Sequence, residues 1–160
     1  MGIIGLLGNY EHTIDSNGRL SIPVKFREYI TAYSERSVVM TPSPVDACVV
    51  VYPLPAWNAI TQRLANMGPV VGGTGNDDFL RRKDFLRIFY SRAVDSTLDK
   101  QGRILLPASL REIAGLERDT IVTGCENFFE IWDTNKWRQK NACILEDKER
   151  LQEAMASLGI

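Results

Sequence analysis

An α/β (α+β) fold made of two tandem copies of one small unit is predicted by three observations on this 160-residue chain. A block from Ile14 to Glu28 returns 84 positions later as Leu98 to Glu112, keeping Asp15/Asp99, Gly18/Gly102, Arg19/Arg103, Pro23/Pro107, Arg27/Arg111 and Glu28/Glu112 identical. A second echo sets Cys48 to Trp57 against Phe128 to Trp137 at an offset of 80, so a short insertion or deletion separates the two matches. Each copy also carries the same order of turn, short helix, β-branched runs and closing helix. Duplication on this scale marks a repeated structural unit. The two copies are expected to pair as an intrachain pseudo-dimer of small β-sheets or a barrel with flanking helices. The expected divisions are a first repeat over 1–67, a linker and inter-repeat helix over 68–92, and a second repeat with a C-terminal helix over 93–160.

The elements follow in chain order. Tyr10 to Ile14 alternates as a strand, Asn17-Gly18 is a type I′ hairpin signal, and Leu20 to Ile22 resumes a strand. Pro23 is placed as the first residue of a helix running through Phe26 to about Ile30, because its missing N–H costs nothing there. Val38 to Met40 and Cys48 to Tyr52 predict two more strands around the loop Thr41-Pro42-Ser43-Pro44. Pro55 opens a helix through Trp57, Ile60 and Leu64 that ends near Met67, and Val70 to Asn76 is glycine-rich and predicted as a linker. Asp77 or Asp78 then caps a helix with Phe79, Leu86, Phe89 and Tyr90 on one side and arginines on the other. The second copy repeats the turn at Gln101-Gly102, the helix start at Pro107 with Gly115 as C-cap, and strands at Ile121 to Thr123 and Phe128 to Trp132. Asp133 caps a last helix whose stripe of Trp137, Ile144, Leu151, Met155 and Leu158 suits packing on the domain or a neighbouring subunit.

With 44% hydrophobic and 24% charged residues, the chain has the composition of a globular protein with a real core. Met1 to Gly8 is apolar but lacks a basic flank, is too short to span a bilayer, and has Leu6 where a myristoylation motif wants Ser or Thr, so it is expected to pair or pack. Cys48, Cys125 and Cys143 are odd in number and set among apolar neighbours, which predicts buried free thiols in a reducing cytoplasm. The net charge of −1 at first opposes nucleic-acid binding. Its distribution is uneven: Arg81, Arg82, Lys83, Arg87 and Arg92 cluster, as do Arg19, Lys25, Arg27 and Arg36, while Glu146 to Glu153 is largely acidic.

The repeated Asp-x-x-x-Arg segment has a physical logic. The carboxylate can accept turn N–H groups, glycine takes the positive φ, and arginine projects from a rigid tip as a planar donor fork suited to phosphate or to guanine O6 and N7. A plain surface ion pair between Asp and Arg is the competing reading of one copy. Recurrence of the exposed charge along with the turn favours the binding reading.

These residues carry a resemblance. Asp15-Ser16-Asn17-Gly18-Arg19-Leu20-Ser21-Ile22-Pro23, together with Asp99 to Arg111, resembles the MraZ family of bacterial proteins, which have two tandem AbrB/SpoVT-like units. The resemblance covers nearly the whole chain, including the Val49 to Trp57 block and the Arg81 to Tyr90 helix. It implies a sequence-specific transcriptional regulator of the division and cell-wall gene cluster, cytoplasmic and nucleoid-associated, whose subunits form a homo-oligomeric ring on direct repeats of double-stranded promoter DNA. By position it implies that Arg19 and Arg103 contact DNA, with Asp15, Gly18, Asp99 and Gly102 shaping the loops. This chain has Asn17 and Gln101 where the family commonly has lysine. Those amides can still hydrogen-bond a base edge or phosphate, and Lys100 compensates for charge in one loop. No cofactor, metal or membrane partner is implied.

Other features are assigned structural roles. His12 lacks the partners a metal site needs, Gly72-Gly73-Thr74-Gly75 lacks the Lys-Ser/Thr of a phosphate loop, and Trp57, Trp132 and Trp137 are expected as core or interface anchors. An enzyme built on Asp15, Asp99 and His12 is the rival class, but no nucleophile elbow, metal cluster or paired-carboxylate motif supports it. A second rival is an oligomeric protein-binding scaffold or antitoxin-like module without promoter binding.

Overall fold

The computed structural model describes residues 4–67 and 76–160. The first three residues and the linker expected at Val70 to Asn76, apart from Asn76 itself, lie outside the described residues, as do the side chains of Asp77 and Asp78. The first copy contains β1 (Asn9–Thr13), β2 (Arg19–Ser21), α1 (Val24–Tyr33), β3 (Ser37–Pro42), β4 (Cys48–Pro53) and α2 (Leu54–Asn66). After α3 (Asn76–Ser91), the second contains β5 (Val94–Thr97), β6 (Arg103–Leu105), α4 (Ala108–Ala114), β7 (Asp119–Gly124), β8 (Phe129–Asp133) and α5 (Thr134–Glu146), followed by α6 (Lys148–Leu158).

Six strands form an antiparallel sheet in the order β1-β7-β8-β4-β3-β5, and β2 and β6 form a separate two-stranded ribbon. The order reads the same when the copies are exchanged, which is the expected pseudo-dimer. Its approximate two-fold axis can be located from register alone. In the sheet, Val50 faces Glu130, and in the ribbon Leu20 faces Ile104; each pair consists of the same position of the two copies. Each copy's first strand leaves its own unit: β1 pairs with β7, and β5 with β3. The N-terminal segment also packs as expected, since Leu6 is fully buried and exchanges backbone hydrogen bonds with Glu126 at 2.7 and 2.9 Å.

Strand exchange corrects one expectation. The Asn17-Gly18 turn does not join β1 to β2 as a type I′ hairpin, because that turn needs positive φ at both central residues and only Gly18 has it, at +78°. The Gly18 N–H instead donates to the Asp15 carbonyl at 3.0 Å, closing a type I turn followed by a left-handed glycine. Only Ile14 and Leu20 bridge around it, and β2 finds its partner in the other copy.

The core lies between the inner sheet face, the ribbon and the short helices. Leu20, Ile22, Ile104 and Leu106 from the ribbon meet Phe26 and Ile30 of α1, Leu110 and Ala114 of α4, and Val38, Met40, Val49, Val51, Val122, Phe129 and Ile131 of the sheet. Proline precedes α1 and α4 rather than opening them, at positions 23 and 107. Gly115 caps α4 at φ +64°, and the Asp133 side chain accepts the Asn135 and Lys136 N–H groups at 3.1 Å.

Two helix expectations change. The last helix is two helices, broken at Asp147, whose carboxylate accepts the Arg150 N–H at 3.1 Å and caps α6. Its stripe does not pack on the domain as one face: Ile144, Met155 and Leu158 are exposed. Among the described side chains of α3 only Phe89 is buried, stacked on Trp57 at 5.3 Å, whereas Phe79 and Tyr90 are exposed. Of the tryptophans, Trp132 is buried and Trp57 and Trp137 are half-buried.

All three cysteines are free, but only Cys48 is buried; Cys125 is half-buried and Cys143 exposed. The Glu130 carboxylate accepts from both the Cys48 and Cys125 thiols and from Trp132 Nε1, the last at 2.7 Å. Burial, reinforced by that carboxylate, pushes Cys125 up to about 11 and Cys48 well above its ordinary value, so both remain thiols.

Candidate nucleic-acid interface

The two Asp-x-x-x-Arg segments fold into the same loop. Asp15 Oδ1 accepts the Asn17 and Arg19 N–H groups, and Asp99 Oδ1 accepts those of Gln101 and Arg103, all at 2.9 Å. Beneath each turn, the aspartate N–H donates to the arginine carbonyl at 2.9 Å. Backbone N–H donors, led by Arg19 for Asp15 and Arg103 for Asp99, hold both carboxyls below the ordinary carboxylate range. A lowered folded-state pKa stabilises above the unfolded value and stops doing so as pH falls through the lowered one. The loops therefore keep their carboxylate bracing through neutral and mildly acidic pH.

The ribbon sets the spacing of the two arginines. Side chains alternate across a strand, so Leu20 and Ile104 point inward, both fully buried. Arg19, Ser21, Arg103 and Leu105 then share the outer face, with Arg19 opposite Leu105 and Ser21 opposite Arg103. Arg19 and Arg103 are diagonal neighbours, roughly 7–8 Å apart by the ordinary geometry of an antiparallel pair. Asn17, Lys100 and Gln101 are exposed at the adjoining turns. Arg19 and Arg103 thus share one face across the two-fold axis, with Asn17, Lys100 and Gln101 at its adjoining turns, whereas Gly18 is buried beneath its turn.

The two guanidiniums differ in state. Arg103 Nε donates to Asp99 Oδ2 at 2.8 Å, and its Nη1 lies 3.6 Å from Asp15 Oδ2 across the axis, so it is tied to both loops. Arg19 is exposed and makes no ion pair within 4.0 Å among the described residues.

Residues beyond the motif also hold the loops. Arg36, expected in a basic cluster, donates from Nη2 to the Leu98 and Asp99 carbonyls at 3.1 and 2.7 Å, fixing the foot of the second loop. Arg27 Nε donates to the Ile22 carbonyl and Arg111 Nε to the Leu106 carbonyl at 3.1 Å. The identity of Arg27 and Arg111 in the repeat was the signal for this; their role was not legible because the turn glycine each covers, Gly102 for Arg27 and Gly18 for Arg111, belongs to the other copy. His12, by contrast, sits half-buried on β1, and burial followed by the nearby Arg27 charge lowers its pKa.

Gly102 is the more confined of the two turn glycines. A Cβ built there would lie 2.6 Å from Arg27 Nε, whereas one on Gly18 would lie 3.1 Å from the Leu106 carbonyl oxygen and 3.2 Å from Arg111 Nη2. Both also hold positive φ. Gly102→Ala is expected to cost about 1–3 kcal/mol through backbone strain and displacement of Arg27, and more than Gly18→Ala. Chemical denaturation of both variants checks this ordering; equal costs would mean that Arg27 yields freely.

The family model described as "MraZ protein, putative antitoxin-like" matches residues 6–69 and 89–157, one match for each copy. The chain belongs to the MraZ family. A relative from Syntrophomonas wolfei named "Transcriptional regulator MraZ" is 36% identical over 156 residues, covering 96% of this chain and 99% of its own. Relatives of the same name from Limosilactobacillus fermentum and Symbiobacterium thermophilum are 39% and 38% identical, covering 91% and 83% of this chain and 92% and 87% of their own. The MraZ family match thus spans both halves of the strand-exchanged pseudo-dimer.

Proposed function

We propose that this chain is a DNA-binding transcriptional regulator, acting on promoter direct repeats of the bacterial division and cell-wall gene cluster through Arg19 and Arg103. The observation that carries this reading is the outer face of the ribbon, where two loop-braced arginines share one surface across the two-fold axis. A two-stranded antiparallel ribbon is one of the elements that fits the major groove, and arginine is the common bidentate reader of guanine. Asn17, Lys100 and Gln101 flank the readers as phosphate or base-edge donors, while Asp15, Gly18, Asp99 and Gly102 shape the loops. The relatives' names, all transcriptional regulators, support the same reading. It is a non-catalytic role in the cytoplasm at the nucleoid. Among the described residues no helix is long and apolar enough to cross a membrane.

The chain acts as a homo-oligomeric ring of units, each consisting of repeats 1–67 and 93–160 joined by 68–92. Two features support assembly: a net charge of −1 leaves a single ribbon weak on DNA, and α3 and α6 expose Phe79, Leu80, Ile88, Met155 and Leu158. Linking several ribbons along successive DNA repeats raises avidity by as much as ~10²–10⁴.

Fluorescence anisotropy on a tandem-repeat duplex from upstream of the chain's own gene, against a scrambled duplex, tests the reading. Preferential binding should weaken with salt at a log–log slope near −0.9 per phosphate neutralised, and a folded variant unable to oligomerise should lose it. Equal affinity for both duplexes would overturn promoter recognition and favour a protein-binding scaffold or antitoxin-like role; full binding by the monomer would overturn the ring requirement.

A further inference from the structure

We propose that Arg27 and Arg111 are reciprocal positioning residues, each clamping the other repeat's loop so that the two arginine-bearing tips move as one body. Arg27 stands on α1 of the first copy, and its side chain covers the face of Gly102, the turn glycine of the second. Arg111 stands on α4 of the second copy and covers Gly18 of the first. Each anchors its Nε on the backbone carbonyl just past its own ribbon strand, Ile22 for Arg27 and Leu106 for Arg111. Those same two residues donate across the axis: Ile22 N–H to the Gly102 carbonyl at 3.0 Å, and Leu106 N–H to the Gly18 carbonyl at 2.8 Å. A guanidinium, a strand end and the opposite turn therefore close one short circuit of contacts, and the circuit occurs twice.

The chemistry explains why arginine serves here. Its planar fork can fix Nε on a carbonyl while the flat group lies against a glycine that offers no Cβ to hold it off. Lysine has no Nε–H to make that bond, and an alanine at Gly102 would occupy the space Arg27 fills. The aspartate Oδ1 atoms brace the backbone within a loop; Arg27 and Arg111 act between loops. The clamp's effect on DNA recognition rests on the function proposed above, because two readers on one rigid frame discriminate by spacing whereas two independently mobile tips do not.

The test is amide hydrogen exchange on the full chain, comparing wild type with Arg27→Met, Arg111→Met and the milder Arg27→Lys. Arg27→Met should accelerate exchange at Gln101, Gly102 and Arg103 by roughly ten-fold, the usual consequence of losing one good hydrogen bond. Asn17, Gly18 and Arg19 should stay within about two-fold, and Arg111→Met should give the reverse pattern. Arg27→Lys should fall between wild type and Arg27→Met. Amides of Val38 to Met40 and Val49 to Val51 report global stability. Loosening of the variant's own loop, no change in either loop, or a rise spread evenly into those core strands would each overturn the clamp.

A DNA arm separates this proposal from the functional reading. With the cross-repeat exchange pattern in hand, Arg27→Met should lose promoter preference by about ten-fold while keeping its affinity for the scrambled duplex. If the exchange pattern appears and wild type shows no promoter preference, the clamp stands as loop positioning and the regulator reading fails.

Discussion

The double variant Arg19→Ala, Arg103→Ala is expected to remain folded and to lose selective promoter binding. Neither side chain belongs to the core: Arg19 is exposed, and the Arg103–Asp99 pair is partly open to solvent, where such pairs contribute about 1 kcal/mol at most. Each bidentate arginine–guanine contact discriminates by about 1–3 kcal/mol, so losing both lowers the affinity for the correct duplex by roughly 10²–10⁴ while binding to a scrambled duplex falls far less. The single variants should not be equal. Removing Arg103 also leaves the carboxylates of Asp15 and Asp99 without their shared cation on the face proposed to meet DNA, so Arg103→Ala should weaken binding more than Arg19→Ala. Anisotropy titrations of the three variants against both duplexes measure this. Undiminished selectivity in the double variant would make the loops structural.

Phe26→Ala should produce the largest loss of stability. The ring is fully buried, stands edge-on to Tyr10 with centroids 5.4 Å apart at 77°, and meets Phe129 at 5.3 Å. It thereby joins α1 of the first copy to β8 of the second and to the exchanged strand β1. Truncating a buried phenylalanine costs about 3–5 kcal/mol, a large share of the roughly 5–15 kcal/mol that holds an ordinary domain together. Its counterpart in the second copy is Leu110, a smaller side chain at the equivalent place, so Leu110→Ala should cost somewhat less. Urea unfolding followed by tryptophan fluorescence measures both; a loss below about 1 kcal/mol for Phe26→Ala would show that the site collapses around the gap.

What the sequence made legible was local. Turn glycines, aspartate braces, the Gly115 and Asp133 caps and the β-branched strands each depend on a few neighbouring residues, and each is where the pattern placed it. Pairing partners were not legible: alternation tells which face of β2 is buried, but antiparallel registry with β6 or with β1 would satisfy the same alternation. The Asn17-Gly18 turn misled for a related reason, since asparagine tolerates either sign of φ and the type I geometry is selected by strands from the other copy. The break at Asp147 was hidden because apolar spacing continues through Ile144 and Leu151, and a capping aspartate looks like any other charge on an exposed helix face. Arg27 and Arg111 were visible as repeats, yet their purpose depends on which glycine lies across the axis.

The exchange of β1 and β5 has a kinetic consequence. Asn9 is paired with Thr123, so the outermost strand of the sheet waits for a partner synthesised more than a hundred residues later. At a synthesis rate of about 5–20 residues per second, that is an interval of roughly 6–23 seconds in which β1 has no mate, while β2 waits for most of it until β6 is made. Contacts of such long sequence separation also slow the search itself. A fragment ending before β7 finds the missing strands only in a second molecule, which makes the intact tandem chain the covalent answer to a pairing problem that separate halves would solve by concentration.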